Sequence, residues 1–192
     1  MVHIQVPESI FGIRSLVMYR PDTGQHLYAL AQALLRNDSP LSEAERELIA
    51  TFVSSLNDCN FCAGSHAAAA RFLFGQDKEL VDQVIEDYQS APISDKLKTL
   101  LTIAKHVQED ARTVSDELVS AARATGATDR DIHDTVLIAA TFCLFNRYVD
   151  GLATLTPTDP TAYEAMGERM GTIGYVMPSL PAEGVGHGTK VK

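Results

Sequence analysis

Residues 41–74 read LSEAERELIATFVSSLNDCNFCAGSHAAAARFLF. Apolar side chains recur at three- and four-residue spacing with no alternating run, so the stretch predicts two amphipathic helices broken near Asn57 and Asp58. Ser42 and Glu45 form a capping-box pattern at the start of the first, and Leu48, Ile49, Phe52, Val53 and Leu56 are expected to face inward. The second starts at Cys59-Asn60-Phe61-Cys62 and is stopped by Gly75; either Asn57 or Asp58 can cap it.

The same period extends over most of the chain. Residues 24–38 place Leu27, Leu30, Ala31, Leu34 and Leu35 on one stripe. Further helices are predicted over 77–89, ending before Pro92, over 94–110, over 115–126 with Gly126 as terminator, over 128–155 and over 160–171. The fold class is all-α, a multi-helix bundle with short connections. With 192 residues the chain is long enough for one substantial core and too short for two domains of ordinary size, so a single all-α domain over 1–192 is expected. From about residue 175 to 192 the sequence is rich in Pro and Gly, and we read it as an extended or mobile C-terminal arm. Residues 42–75 and 128–153 both open on a Ser or Thr cap with acidic residues and run into an apolar, cysteine-containing stretch, an echo too faint to be called a repeat.

Composition narrows the function classes. Sixteen Lys and Arg against twenty-five Asp and Glu leave a net charge of -9, and no face gathers basic residues with aromatics, which argues against a nucleic-acid partner. No stretch of eighteen apolar residues occurs and the start has no basic segment followed by an apolar run, so neither a membrane span nor an export signal is expected, and the cytoplasm is the expected location. There is no glycine-rich phosphate loop and no Gly-x-Ser-x-Gly elbow, so nucleotide binding and serine hydrolysis gain no support.

Three cysteines are too few for a disulfide scaffold, and a close pair in a reducing compartment is more often catalytic or metal-binding than structural. Cys59 is expected in the first turn of its helix, where amide groups and the positive end of the helix dipole favour a thiolate. Cys59 and Cys62, three apart on a helix, are neighbours at about 5–6 Å, within reach of a disulfide. His66 follows Cys62 by one turn, and an imidazole with a pKa near about 6.5 can take a thiol proton at neutral pH. Two other readings stand beside the redox one: the cysteines as small packed residues, or as half of a metal site. A structural zinc site needs four ligands, and His106, His133 and Cys143 lie singly on separate segments. His106 and His133 read as ordinary helix histidines, and Cys143, between Phe142 and Leu144, as a core thiol.

Glu47, followed twelve residues later by Cys59-x-x-Cys62 and then by His66, resembles the signature of the alkyl hydroperoxidase D and carboxymuconolactone decarboxylase superfamily. LSEAERELIA (41–50) resembles the segment leading into that motif, and TFCLFNRYVDGL (141–152) resembles the Asn-Arg-containing helix of its peroxidase-related subgroup, so the likeness covers about residues 20–155. The resemblance implies a small all-α thiol-dependent peroxidase or disulfide reductase, using no metal and no bound organic cofactor, acting on a hydroperoxide substrate or serving a partner peroxiredoxin. It implies an external dithiol or protein reductant of lipoyl or thioredoxin-like type, and a homo-oligomer, trimer or hexamer. Carried over by position, Cys59 and Cys62 become the redox pair, His66 the base beside them, and Glu47 the carboxylate that orients His66; without the family spacing, Glu47 would read as part of a solvated helix face. Cys62 is favoured over Cys59 as the attacking thiol because it stands one turn from His66. The chain departs from the family at Phe61, where Tyr or His is frequent, so no polar relay passes through that position and weak peroxidase turnover is expected. Alternatives of other classes are a decarboxylase-like enzyme that needs no redox thiols, a non-catalytic redox-sensing or binding protein, and a structural zinc protein.

Overall fold

Ser42, Ser94, Ser115 and Thr128 each accept a hydrogen bond from the amide three residues on, and these caps fix the starts of four helices. In the computed structural model, which describes residues 2–7 and 9–177, the helices run in the order α1 (Ile13–Tyr19), α2 (Pro21–Arg36), α3 (Glu43–Leu56), α4 (Asn60–Phe74), α5 (Leu80–Asp87), α6 (Asp95–Asp110), α7 (Asp116–Ala124), α8 (Asp129–Gly151) and α9 (Pro160–Ile173). No strand occurs among the described residues, and none of these helices is long and apolar enough to cross a membrane. The all-α class and the helix order follow the sequence pattern. The expected C-terminal arm lies outside the described residues beyond Met177.

α3 occupies the centre, packed against α4, α6 and α8. Its buried Leu48, Ile49, Phe52 and Val53 meet Leu100, Leu101 and Ile103 of α6 and Ile138, Phe142 and Phe145 of α8 in one core. Leu56 was expected in that stripe but is exposed: it is the last residue of α3, where the helix face runs out over the surface before the chain turns at Asn57. α1 was not anticipated. Its Ser15, Leu16, Val17 and Met18 are all buried, so the segment lacks the polar face that gives an amphipathic helix its period. α5 is shorter than the predicted 77–89, since Gly75–Asp77 forms a 3₁₀ turn instead.

α9 lies along α4 at close range. A Cβ on Gly167 would stand 2.5 Å from the carbonyl carbon of Ala68, and one on Gly64 would stand 2.6 Å from the Tyr163 ring. Glycine at these two positions lets the helices approach backbone to backbone, which puts α9 over the segment that carries the cysteines.

Candidate active site

The turn between α3 and α4 is built from polar side chains supplied by other helices. Asn57 ends α3, and Asp58 takes a left-handed conformation (φ 55°) that Asp tolerates better than most residues. Neither caps α4, contrary to expectation; Cys59 itself is the N-cap residue, and its amide donates to the Ser54 carbonyl at 3.1 Å. Asn57 is occupied elsewhere, its Nδ2 donating to Asn146 Oδ1 at 2.8 Å while its Oδ1 accepts from Gln108 Nε2 at 3.0 Å. Asn146, buried on α8, also donates to Ser54 Oγ at 3.1 Å. The asparagine of the Asn-Arg helix thus clamps the turn that presents the cysteines.

Cys59 and Cys62, 0% and 4% exposed, pack with Phe61 and Val149 under Phe11, Ile13 and Met166. The hydrogen bond to Cys62, then burial and the charges of Cys62 and Asp150, push the Cys59 thiol far above the ordinary range; the Cys62 amide acts in the opposite direction and is outweighed. The expected lowering of the Cys59 pKa by the helix end is thus outweighed, in line with the choice of Cys62 as the attacking thiol. Removed from water and facing a second sulfur, Cys59 keeps its proton.

Glu47 is wholly buried, not on a solvated face. His66 Nδ1 lies 2.7 Å from Glu47 Oε2, and Oε1 accepts from Arg36 Nη2 and from the Tyr175 hydroxyl, each at 2.6 Å. Burial alone raises the Glu47 pKa, but His66, Arg36 and Tyr175 together hold it below the usual carboxylate range. An ionised carboxylate accepts, so the Nδ1 proton is donated to Glu47 and the other ring nitrogen, Nε2, is left to take a proton. Burial, reinforced by the Glu47 charge, holds Tyr175 well above the ordinary phenol range as a neutral donor. The Tyr175 ring stacks on His66 with centroids 6.0 Å apart, while the Phe142 ring meets His66 edge-on at 4.5 Å. The imidazole is fixed from three sides.

Arg36 and Tyr175 were missed in the sequence. Arg36 ends α2 and reads as an ordinary C-terminal cation, and Tyr175 follows α9 at the start of the stretch read as an arm. No local pattern marks either; the short spacing from Glu47 to His66 had no counterpart reaching residue 36 or 175. The other singled-out residues lie apart from this cluster. His106 bonds to Thr113, exposed His133 bonds to Asp134, and half-buried Cys143 lies 3.6 Å from Asn57 Nδ2. No group of three or more His, Cys, Asp or Glu placed to hold a metal ion is found among the described residues.

A narrow, largely apolar cavity opens beside His66, walled by Leu27, Phe142, Phe145, Met166 and Phe61. Neither cysteine lines this cavity; Ile13, Met166 and Phe61 belong both to its lining and to the cysteine cluster, with Phe61 next in sequence to Cys62. The Phe61 ring rests directly on Gly12, where a Cβ would come within 2.0 Å of it.

Residues 21–106 match the sequence model of the carboxymuconolactone decarboxylase family. Among solved structures, the chain is similar to an alkylhydroperoxidase AhpD core, an uncharacterized peroxidase-related protein from Ralstonia eutropha, with 29% identity, 80% of this chain and 78% of that one covered, and a TM-score of 0.72. An uncharacterized peroxidase-related protein from Silicibacter gives 26% identity, 81% and 79% coverage and a TM-score of 0.73. A protein of unknown function from Agrobacterium tumefaciens shares the fold at 19% identity, with 83% and 100% coverage and a TM-score of 0.68. None of the curated proteins compared with the chain matches it. Over residues 21–106 the chain therefore carries the sequence pattern of the carboxymuconolactone decarboxylase family, on the fold of the AhpD-like, peroxidase-related proteins.

Proposed function

We propose that the chain is a thiol-dependent peroxidase or disulfide reductase working through Cys59 and Cys62. The observation that carries this reading is the fully buried Glu47 carboxylate at 2.7 Å from His66, which itself stands one helical turn beyond a pair of buried, free cysteines. A small packed cysteine pair would not need an ionised carboxylate kept away from water to orient a neighbouring imidazole.

In the mechanism, His66 Nε2 takes the proton of Cys62, and the Cys62 thiolate attacks the distal oxygen of ROOH. The O–O bond breaks, an S–O bond forms, and the proton held by His66 passes to the leaving alkoxide, giving ROH and a sulfenic acid on Cys62. Cys59, which has kept its proton, then displaces hydroxide from that sulfur; its proton leaves with the hydroxide as water and a Cys59–Cys62 disulfide remains. An external dithiol returns the pair to thiols and is itself oxidised to a disulfide. Glu47 stays ionised and stabilises the imidazolium formed in the first step, while Arg36 and Tyr175 hold Glu47. Because neither cysteine lines the cavity, Ile13, Phe61 or Met166 must move aside for a peroxide to pass from it to the thiols, which fits slow turnover. A reducing compartment such as the cytoplasm supplies the dithiol.

Alcohol formation from cumene hydroperoxide, measured with dihydrolipoamide, dithiothreitol and thioredoxin as alternative donors, tests the reading. Turnover with at least one donor, abolished in both Cys59→Ser and Cys62→Ser, is the expected result. Normal turnover in both variants would replace it with a decarboxylase-like or binding function.

A further inference from the structure

The cavity beside His66 has a cationic wall that the thiol chemistry leaves unused. Arg14 of α1 and Arg169 of α9 both line it, and neither has a carboxylate partner among the described residues. Arg14 is half-buried, and its Nε is buried and makes no hydrogen bond among the described residues. A buried donor without an acceptor asks for an explanation. Other arginines in this acidic chain do have partners: Arg36 pairs with Glu47, Arg71 with Asp82 and Arg130 with Asp134. Tyr28 is also on the wall and buried; burial raises its pKa and outweighs the opposing charges of Arg14 and Arg169 and its interaction with the Arg169 side chain, so the hydroxyl stays neutral with its own proton to donate on the same side. Apart from Ser65 and Tyr175 the rest of the lining is apolar and runs to His66, and the free space, about 50 Å³, is narrow. Met166 and Met170, both flexible, are the walls able to give way to a chain.

We propose that this cavity binds a fatty-acid-type ligand, its carboxylate held by Arg14, Arg169 and Tyr28 and its unbranched tail lying along the aromatic and methionine wall toward His66. Guanidinium groups pair with carboxylates through two parallel hydrogen bonds, which a neutral head group cannot reproduce. A chain of net charge -9 repels anions at long range, so a carboxylate is retained only where local cations are free to face it. The identity of the substrate rests on the peroxidase reading: the hydroperoxide offered to Cys62 is then that of a fatty acid.

Calorimetry on the full chain, with octanoate as probe and octanol as its uncharged counterpart, tests the site without chemistry. Octanoate is expected to bind at least about tenfold more tightly than octanol, a difference of about 1.4 kcal/mol. That ratio should fall severalfold in Arg14→Gln and in Arg169→Gln, and Arg14→Lys should retain part of it. Equal affinity for the two probes, no binding of either, or an unchanged ratio in both glutamine variants would overturn the proposal; should Arg14→Gln not fold, Arg169→Gln and Arg14→Lys decide. A kinetic arm compares a fatty-acid hydroperoxide with its methyl ester and with cumene hydroperoxide, and the acid is expected to be the better substrate by a similar factor. Reduction of none of the three would count against the peroxidase reading, while octanoate selectivity would still support the site. Reduction of cumene hydroperoxide without any preference for carboxylate would overturn the site and leave the peroxidase reading intact.

Discussion

Glu47 has no solvent to support its charge, so its three partners carry the whole burden. Removing one side of a buried ion pair leaves the other charged and unpaired, at a cost of about 3–5 kcal/mol. Glu47→Gln is therefore expected to lower stability by up to about that amount, read from urea unfolding, because Arg36, 6% exposed, loses its partner at 2.6 Å and keeps only the Glu43 carboxylate at 3.7 Å. A change under about 1 kcal/mol would mean that Arg36 reaches water in solution. The sign of the pH dependence follows from the same group. Its folded-state pKa lies below the usual glutamate value of 4.5, so its contribution is fully present above that value and is lost as pH falls through the lower folded one. Acid titration should show a steep loss of stability below about pH 4.5 that is shallower in Glu47→Gln. His66→Gln removes the proposed base, and turnover should fall by about 10²-fold or more, with the Glu47→Gln, His66→Gln double variant little worse than the worse single one. Turnover losses that multiply independently would separate the two residues. At this scale helical spacing joined Cys59, Cys62 and His66 in the sequence, whereas Glu47, on the preceding helix, was singled out only by the family resemblance. The sequence did not carry Arg36 or Tyr175, which reach Glu47 only once α2 and the segment after α9 have packed around α3.

Helix starts were legible because caps are local chemistry. The Ser42–Glu45 and Thr128–Asp131 capping boxes both form, and they account for the faint likeness between the two segments that they open. Helix α1 was not legible, since it is short and its four central residues, Ser15 to Met18, are all buried and so show no period. The approach of α4 to α9 was hidden as well: Gly64, Gly167 and Gly171 lie inside helical patterns, where glycine reads only as a weakness. The structure gives Gly167 a packing reason, and a test follows. In Gly167→Ala the new methyl meets backbone of α4 rather than a movable side chain, so destabilisation of about 1–3 kcal/mol is expected. Gly151→Ala, at the end of α8 with open space around it, should be neutral or slightly stabilising. Equal melting temperatures for the two variants would contradict the close packing that covers the cysteine cluster.

Over the whole molecule, Tyr19, Phe72, Leu144, Ile173 and Val176 are about half exposed among the described residues. Together with the family likeness this favours a symmetric homo-oligomer, and light scattering at micromolar concentration is expected to give a multiple of the 20.9 kDa chain mass. A mass near that of one chain would contradict it. Assembly of that kind was inferred from resemblance, since no local pattern encodes which faces meet. The central claim, that Cys59 and Cys62 are a redox centre rather than packed or metal-binding residues, is tested most directly by peptide mass mapping after one equivalent of cumene hydroperoxide is added to the reduced, full-length protein. The account predicts loss of two of the three thiols, a single Cys59–Cys62 disulfide, one equivalent of alcohol, and Cys143 still reduced. Persistence of both motif thiols, or a disulfide joining Cys143 to either of them, would contradict it.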